Sequence, residues 1–302
     1  MTRYLSLLIA LCLPFFSATT RADEPLPVVA SFSILADLTR QVGGDRVRVH
    51  SLVGENGDAH AFQPTPADAK FLGQARLVIV NGLGFEGWID RLVKSSGYRG
   101  KIVVASQGVK ILKRQHTQGH HHDGHQEEAD PHAWQDAINA LQYVDNIAVA
   151  LSQADPAGQP VYERNARRFK QEIQSLDESI RKSFQAIPED QRRVVTSHDA
   201  FGYFARAYGI RFISPVGVNA DAEPSAGDVA RIIRQVRSER IPAVFLENIR
   251  DSRMLERIRR ESGARVGGTL YSDSLSKREG PASTYLDMMR YNSRLLVSAL
   301  SQ

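Results

Sequence analysis

The segment PVYERNARRFKQEIQSLDESIRKSFQAIP, residues 160–188, decides the fold. Its apolar side chains are Ala166, Phe169, Ile173, Leu176, Ile180, Phe184 and Ile187, separated by three or four positions throughout. That is the period of a helix and not the alternation of a strand. Pro160 suits a first turn, where a missing N–H costs nothing, and Pro188 stops the run. About 28 residues at ~1.5 Å each make a rod of roughly 40 Å. A rod that long between two folded units is a stiff connector, and residues 157–188 are assigned to it.

On both sides of this helix, short apolar strands alternate with amphipathic helices. Residues 28–32, 47–53, 77–81 and 102–105 read as strands, with helical patterns at 34–42, 85–93 and 137–151. The alternation resumes past residue 190. Strands fall at 194–197, 212–214, 243–247 and 265–270, and helices near 200–208, 229–236 and 254–260. The expected fold class is α/β: two lobes, 23–156 and 189–302, with mainly parallel sheets flanked by helices and joined by one long rigid helix. Each lobe is large enough to bury a core of its own.

The first 22 residues read as a leader. Arg3 supplies a positive start, residues 4–16 are apolar, and Thr20-Arg21-Ala22 offers small residues where a signal peptidase reads. The apolar run is too short for a membrane span. Cys12 follows Leu11 inside that run, whereas a lipobox needs a small residue there. A cleaved, periplasmic protein is expected. Cys12 is the only cysteine, so the mature chain has no disulfide, and any metal site must use nitrogen and oxygen donors. The formal charge of +4 invites a nucleic-acid reading. It does not hold: Arg3 and Arg21 leave with the leader, and the densest basic run, Arg257, Arg259 and Arg260, is flanked by Glu256 and Glu261. No nucleic-acid partner is expected.

Of the nine histidines, His50 lies within a strand pattern and the other eight bear on the chemistry. His116, His120, His121, His122 and His125 lie in HTQGHHHDGHQEEAD, residues 116–130, which has no apolar side chain larger than Ala129 and reads as a surface loop. His60, His132 and His198 instead stand where strands or connections end, in DAHAFQPTP, DPHAW and TSHDAF. In open α/β sheets, ligands bind beyond the carboxyl ends of strands, and imidazole is the commonest nitrogen ligand of zinc. A carboxylate of the second lobe should complete the set. Asp273 follows the 265–270 strand, Glu247 ends the 243–247 strand, and Asp199 adjoins His198.

The run of HAFQPTP, DPHAW, TSHDAFGYFARAYGI and YSDSLS, in that order, resembles the zinc- and manganese-binding solute-binding proteins of ABC importers, with NGLGFEGW fitting the same family. The likeness covers essentially the whole mature chain, and the long central helix matches the family's rigid backbone helix. It implies that His60, His132, His198 and Asp273 bind a metal between the lobes, and that Glu247 matches a position not used as a ligand. It also implies a permease in the inner membrane as partner. Family members that resemble manganese importers carry Glu at the third motif position, whereas this chain has His198. Three imidazoles and one carboxylate suit tetrahedral Zn²⁺ better than manganese, and the closest likeness is to the zinc-uptake members. Histidine-rich tracts resemble those of zinc members, which makes the 116–130 loop an auxiliary, low-affinity collector. A carboxylate found before the first histidine in some zinc members is Ala59 here.

Gly82-Leu83-Gly84-Phe85-Glu86-Gly87 fits G-x-G-x-x-G, but the acidic residue that a dinucleotide site needs after the next strand is missing. A tight turn explains these glycines. Four protein ligands leave no open position for an activated water, so no enzyme is expected. The alternatives are a secreted zinc hydrolase, which lacks H-E-x-x-H, and a zinc-storing chaperone or adhesin of the same fold. The expected protein is a monomer that delivers zinc to an importer.

Overall fold

In the computed structural model, residues 24–113, 129–217, 225–249 and 252–301 are described. The leader and the five clustered histidines lie outside them. The first lobe comprises β1 (Leu26–Phe32), α1 (Ser33–Gly43), β2 (Val47–Val53), α2 (Pro66–Gln74), β3 (Leu77–Val80), α3 (Ile89–Ser96), β4 (Lys101–Val104) and α4 (Ala137–Ala154). The long α5 (Gln159–Gln185) follows. The second lobe holds β5 (Arg193–Val195), α6 (Gly202–Tyr208), β6 (Arg211–Ile213), α7 (Ala226–Ser238), β7 (Ala243–Glu247), α8 (Arg253–Ser262), β8 (Arg265–Leu270) and α9 (Tyr285–Leu300).

Both sheets are four-stranded and parallel, with the same order: β2-β1-β3-β4 and β6-β5-β7-β8. The all-apolar β3, LVIV, is buried along its whole length, as a strand covered by helices on both faces must be. In each sheet the chain reverses its direction of winding between the two central strands, which places a crevice at their carboxyl ends.

Two helices go beyond the sequence reading. α2 opens on Thr65, whose side chain and that of Asp68 satisfy each other's backbone N–H, with Pro66 in the first turn. α9 is capped by Thr284 through Asp287 N–H and also by the other lobe, since Tyr285 N–H donates to Asp37 Oδ2 on α1 at 2.8 Å. α3 starts at Ile89 and not at Phe85, because Gly82, Leu83 and Gly84 all take positive φ and turn the chain first.

The core departs from one core per lobe. A single cluster runs from β1, β3 and α4 along Phe169, Ile173, Ile180 and Phe184 of α5 to Phe201, Phe204, Met288 and Leu296 of the second lobe. Among the described residues, only the outer layer, built on Val195, Val244, Ile232 and Ile258, forms a separate cluster. The reason is α5 itself. Asn165 donates to Val42 O and Lys170 pairs with Asp145 in the first lobe. Further along, Arg181 bonds Ala207 O, and Asp177 accepts from the Tyr208 hydroxyl, in the second.

This shared core makes a testable statement. Ile173 is fully buried in it, so Ile173→Ala should cost ~2–5 kcal/mol by denaturant unfolding. Near-UV and far-UV signals should shift together, because both lobes rest on that helix. A loss confined to one lobe would contradict the continuous core.

Candidate metal centre

The carboxyl ends of the two sheets face each other, and the connections there carry His60, His132, His198 and Asp273. One ligand atom from each of the four lies within 4.8 Å of the others. His60 Nε2 stands 3.3 Å from His132 Nε2. Asp273 reaches all three rings: 3.5 Å to His60 Nε2, 3.4 Å to His132 Nε2 and 3.1 Å to His198 Nε2. The side chains of His132, His198 and Asp273 have no exposed surface, and that of His60 has 4%.

Each of the four is held by local chemistry. Asp58 Oδ1 accepts from the N–H of His60, and Trp88 Nε1 donates to Ala59 O at 2.8 Å, fixing the loop after β2. Asp130 Oδ1 accepts the His132 backbone N–H at 2.9 Å and lies 2.8 Å from His132 Nδ1, which turns Nε2 toward the cluster. Asp273 comes from the segment after β8, and the first lobe grips that segment. Trp134 Nε1 and Gln135 Nε2 both donate to Ser272 O, at 3.0 and 2.7 Å. Leu275 N–H donates to Ser33 Oγ, and Asn56 N–H to Leu275 O. Phe32, Phe85 and Trp134 form an aromatic wall with centroids 4.9–5.0 Å apart, and His60 meets Phe85 edge-on at 4.6 Å.

Glu247 stands behind His198. Its Oε2 is 2.7 Å from His198 Nδ1, an ion-pair contact whose alignment falls short of a hydrogen bond. Its Oε1 accepts from Ser197 N–H, Ser197 Oγ and His198 N–H at 2.8, 2.8 and 3.0 Å. The first lobe repeats the device: Glu86 accepts from Ser31 Oγ at 2.6 Å and from the backbone N–H groups of Asn81 and Gly82. The glycine-rich turn therefore already holds a carboxylate of its own chain where a nucleotide phosphate would sit. Asp199 is half-buried and is not one of the converging four.

The charges are strongly coupled. Burial alone would push Asp273 up, but His132 and His198 outweigh it and hold the carboxyl well below its usual range. Burial pulls the His198 imidazole down, and the Glu247 and Asp273 carboxylates overcome it and push it up to about 10. Glu86, by contrast, is raised by burial.

Residues 28–299 match the family described as zinc-uptake complex component A, periplasmic. The chain belongs to this family. Its members are substrate-binding proteins of ABC metal importers, extracytoplasmic and not enzymes. The manganese-binding lipoprotein MntA of Halalkalibacterium halodurans is 33% identical over 286 residues, 95% of this chain and 92% of the relative. The manganese ABC transporter substrate-binding lipoprotein PsaA of Streptococcus pneumoniae is 29% identical over 292 residues, again 95% and 92%. Among solved structures, the periplasmic zinc-binding protein TroA of Treponema pallidum superposes with TM-score 0.85 at 27% identity, over 92% of this chain and 100% of that one. A manganese-bound periplasmic metal-binding protein from candidatus Liberibacter asiaticus gives 0.80 at 30%, with the same coverage. Among the described residues no helix is long and apolar enough to cross a membrane.

The sequence singled out all four converging residues. It took Asp130 only as the end of a loop, although a carboxylate two positions before a candidate ligand is a readable sign of an orienting partner.

In metal-free protein, His198 should keep its proton to about pH 10. Because this pKa is raised on folding, the stability it confers is complete below the ordinary imidazole value of ~6.5 and is lost as pH climbs through about 10. Histidine NMR should show that titration, with Glu247→Gln lowering it. A His198 ring that titrates at the ordinary value would contradict the two-carboxylate sandwich.

Proposed function

We propose that this chain captures Zn²⁺ in the periplasm, between His60, His132, His198 and Asp273, and hands it to the permease of an ABC importer. The observation that carries the reading is the convergence of three buried imidazoles and one buried carboxylate from both lobes. Four nitrogen and oxygen donors at zinc's ~2.0–2.2 Å stand roughly 3.3–3.6 Å from one another, and four of the separations here are 3.1–3.5 Å. Asp273 Oδ1 is also buried without a hydrogen-bond partner, an arrangement that a cation relieves. Nitrogen-rich donors favour zinc; manganese favours oxygen. The relatives named for manganese make the metal the point to test.

Several relatives are named lipoproteins. Here Cys12 follows Leu11 and not a small residue, which supports a cleaved leader of residues 1–22. His116, His120, His121, His122 and His125 would collect zinc weakly beside the main site. The protein acts as a monomer, with lobes of 23–156 and 189–302 about the 157–188 connector.

Untagged protein should bind one zinc tightly and prefer it to manganese in a competition titration. Replacing any of the four residues by Ala should cost more than the roughly 10- to 100-fold typical of losing a partner that only orients a ligand. Deleting residues 115–126 should remove weak binding and spare the tight site. Free zinc at about 1,000 times Kd should stabilise the fold by roughly 4 kcal/mol, and His60→Ala should abolish that gain. Tight binding that disappears with the 115–126 deletion, or survives His60→Ala, would overturn the assignment.

A further inference from the structure

Resting on that metal centre, we propose that Gln135 is a positioning residue for the fourth ligand: it fastens the segment of Asp273 to the first lobe and slows the release of the metal. Asp273 follows a strand of the second sheet, but its backbone changes lobes just before it. Both backbone groups of Tyr271 bond Asn292 of α9, the N–H donating to Oδ1 at 3.0 Å and the carbonyl accepting from Nδ2 at 2.7 Å. One residue later the partners belong to the first lobe: Ser272 O accepts from Trp134 Nε1 at 3.0 Å and from Gln135 Nε2 at 2.7 Å. That carbonyl shares a peptide plane with the N–H of Asp273, so fixing its direction fixes where the carboxylate starts from. Gln135 is in turn tied to a ligand of its own lobe, because its N–H donates to His132 O at 3.1 Å across a single turn. A path of short bonds therefore runs from His132 to Asp273 that does not pass through a metal.

Gln135 is an unfavourable residue to bury. Its side chain has no exposed surface, and its Oε1 finds no hydrogen-bond partner among the described residues. Such an amide costs stability that an apolar side chain of the same size would not. Nor does the acceptor need it, since Trp134 alone keeps Ser272 O satisfied. Trp134 also serves packing, with its ring 5.0 Å from Phe32, 4.9 Å from Phe85 and 5.3 Å from His132. What Gln135 adds is a second donor on a carbonyl with two lone pairs, which stops the peptide plane from tilting about the indole bond. For the metal to leave, Asp273 must draw back from His60 and His132, both of the first lobe. The Gln135 bond opposes that retreat, and its worth lies in the release step more than in the fold.

Gln135→Leu removes the second donor and the orphan oxygen together and nearly conserves volume. Release of zinc from the parent and the variant into excess chelator would be followed by stopped flow. Melting curves of the metal-free proteins and the visible spectrum of cobalt-loaded protein, whose bands report donor geometry, would be recorded beside it. Gln135→Leu should release zinc roughly 2- to 10-fold faster, the worth of one neutral hydrogen bond, with an altered cobalt spectrum and metal-free melting no lower than the parent's. Ile173→Val, which trims the shared core on α5, should lower melting and leave release unchanged. An unchanged release rate or an unchanged cobalt spectrum in folded Gln135→Leu overturns the inference. So does faster release that Ile173→Val reproduces, which traces the effect to lost stability. Should Gln135→Leu not fold, Gln135→Met takes its place, and loss of the fold in both makes the residue structural and overturns the inference as well. His60→Ala separates the two failures. If it keeps the parent's zinc affinity, the centre itself is wrong and this role for Gln135 falls with it; if it abolishes binding, the centre stands whatever Gln135 does.

Discussion

A carboxylate with no access to water lies within 3.5 Å of three imidazole nitrogens that come from three connections and both lobes. Burying such a group uncompensated costs several kcal/mol, and breaking its partnership costs comparably. Asp273 thus constrains everything near it. Its own segment departs from the second sheet, yet Trp134, Gln135, Ser33 and Asn56 of the first lobe bind the backbone around it. The α9 helix that follows is capped across the same boundary by Asp37. The long helix sets the spacing of the lobes, and these bonds set their facing edges.

Much of this was legible in the chain because long periodic signals are hard to mistake. The α5 pattern spans seven apolar positions, and β2, β7 and β8 begin and end where the alternation of apolar runs places them. What escaped lies where a short signal was overridden or a partner is remote. The Pro-rich stretch before α2 reads as a loop, although Thr65 and Asp68 form a complete cap. The continuity of the core could not be read, since a hydrophobic face does not say which neighbour will cover it. The four converging residues stood out by their positions at strand ends. The nearness of Glu247 to His198 did not, because it is created by the pairing of Val195 with Val244 in adjacent strands.

Proteins whose names specify zinc and manganese share this architecture. The fold therefore does not choose the cation. Choice must lie in the few atoms at the junction of the lobes.

The paired serine and glutamate of each lobe carry a wider consequence. An open parallel sheet has one natural berth for an organic solute, the notch where its winding reverses, with backbone N–H groups ready for an anionic headgroup. Here Glu86 sits in one notch with Ser31, and Glu247 in the other with Ser197. Each sheet has plugged its own berth. Neither notch is left vacant for an anionic headgroup, and the junction is lined by side chains that converge to within a few ångströms. What remains can be entered only by a cargo with no shape of its own, recognised by charge and bond geometry alone.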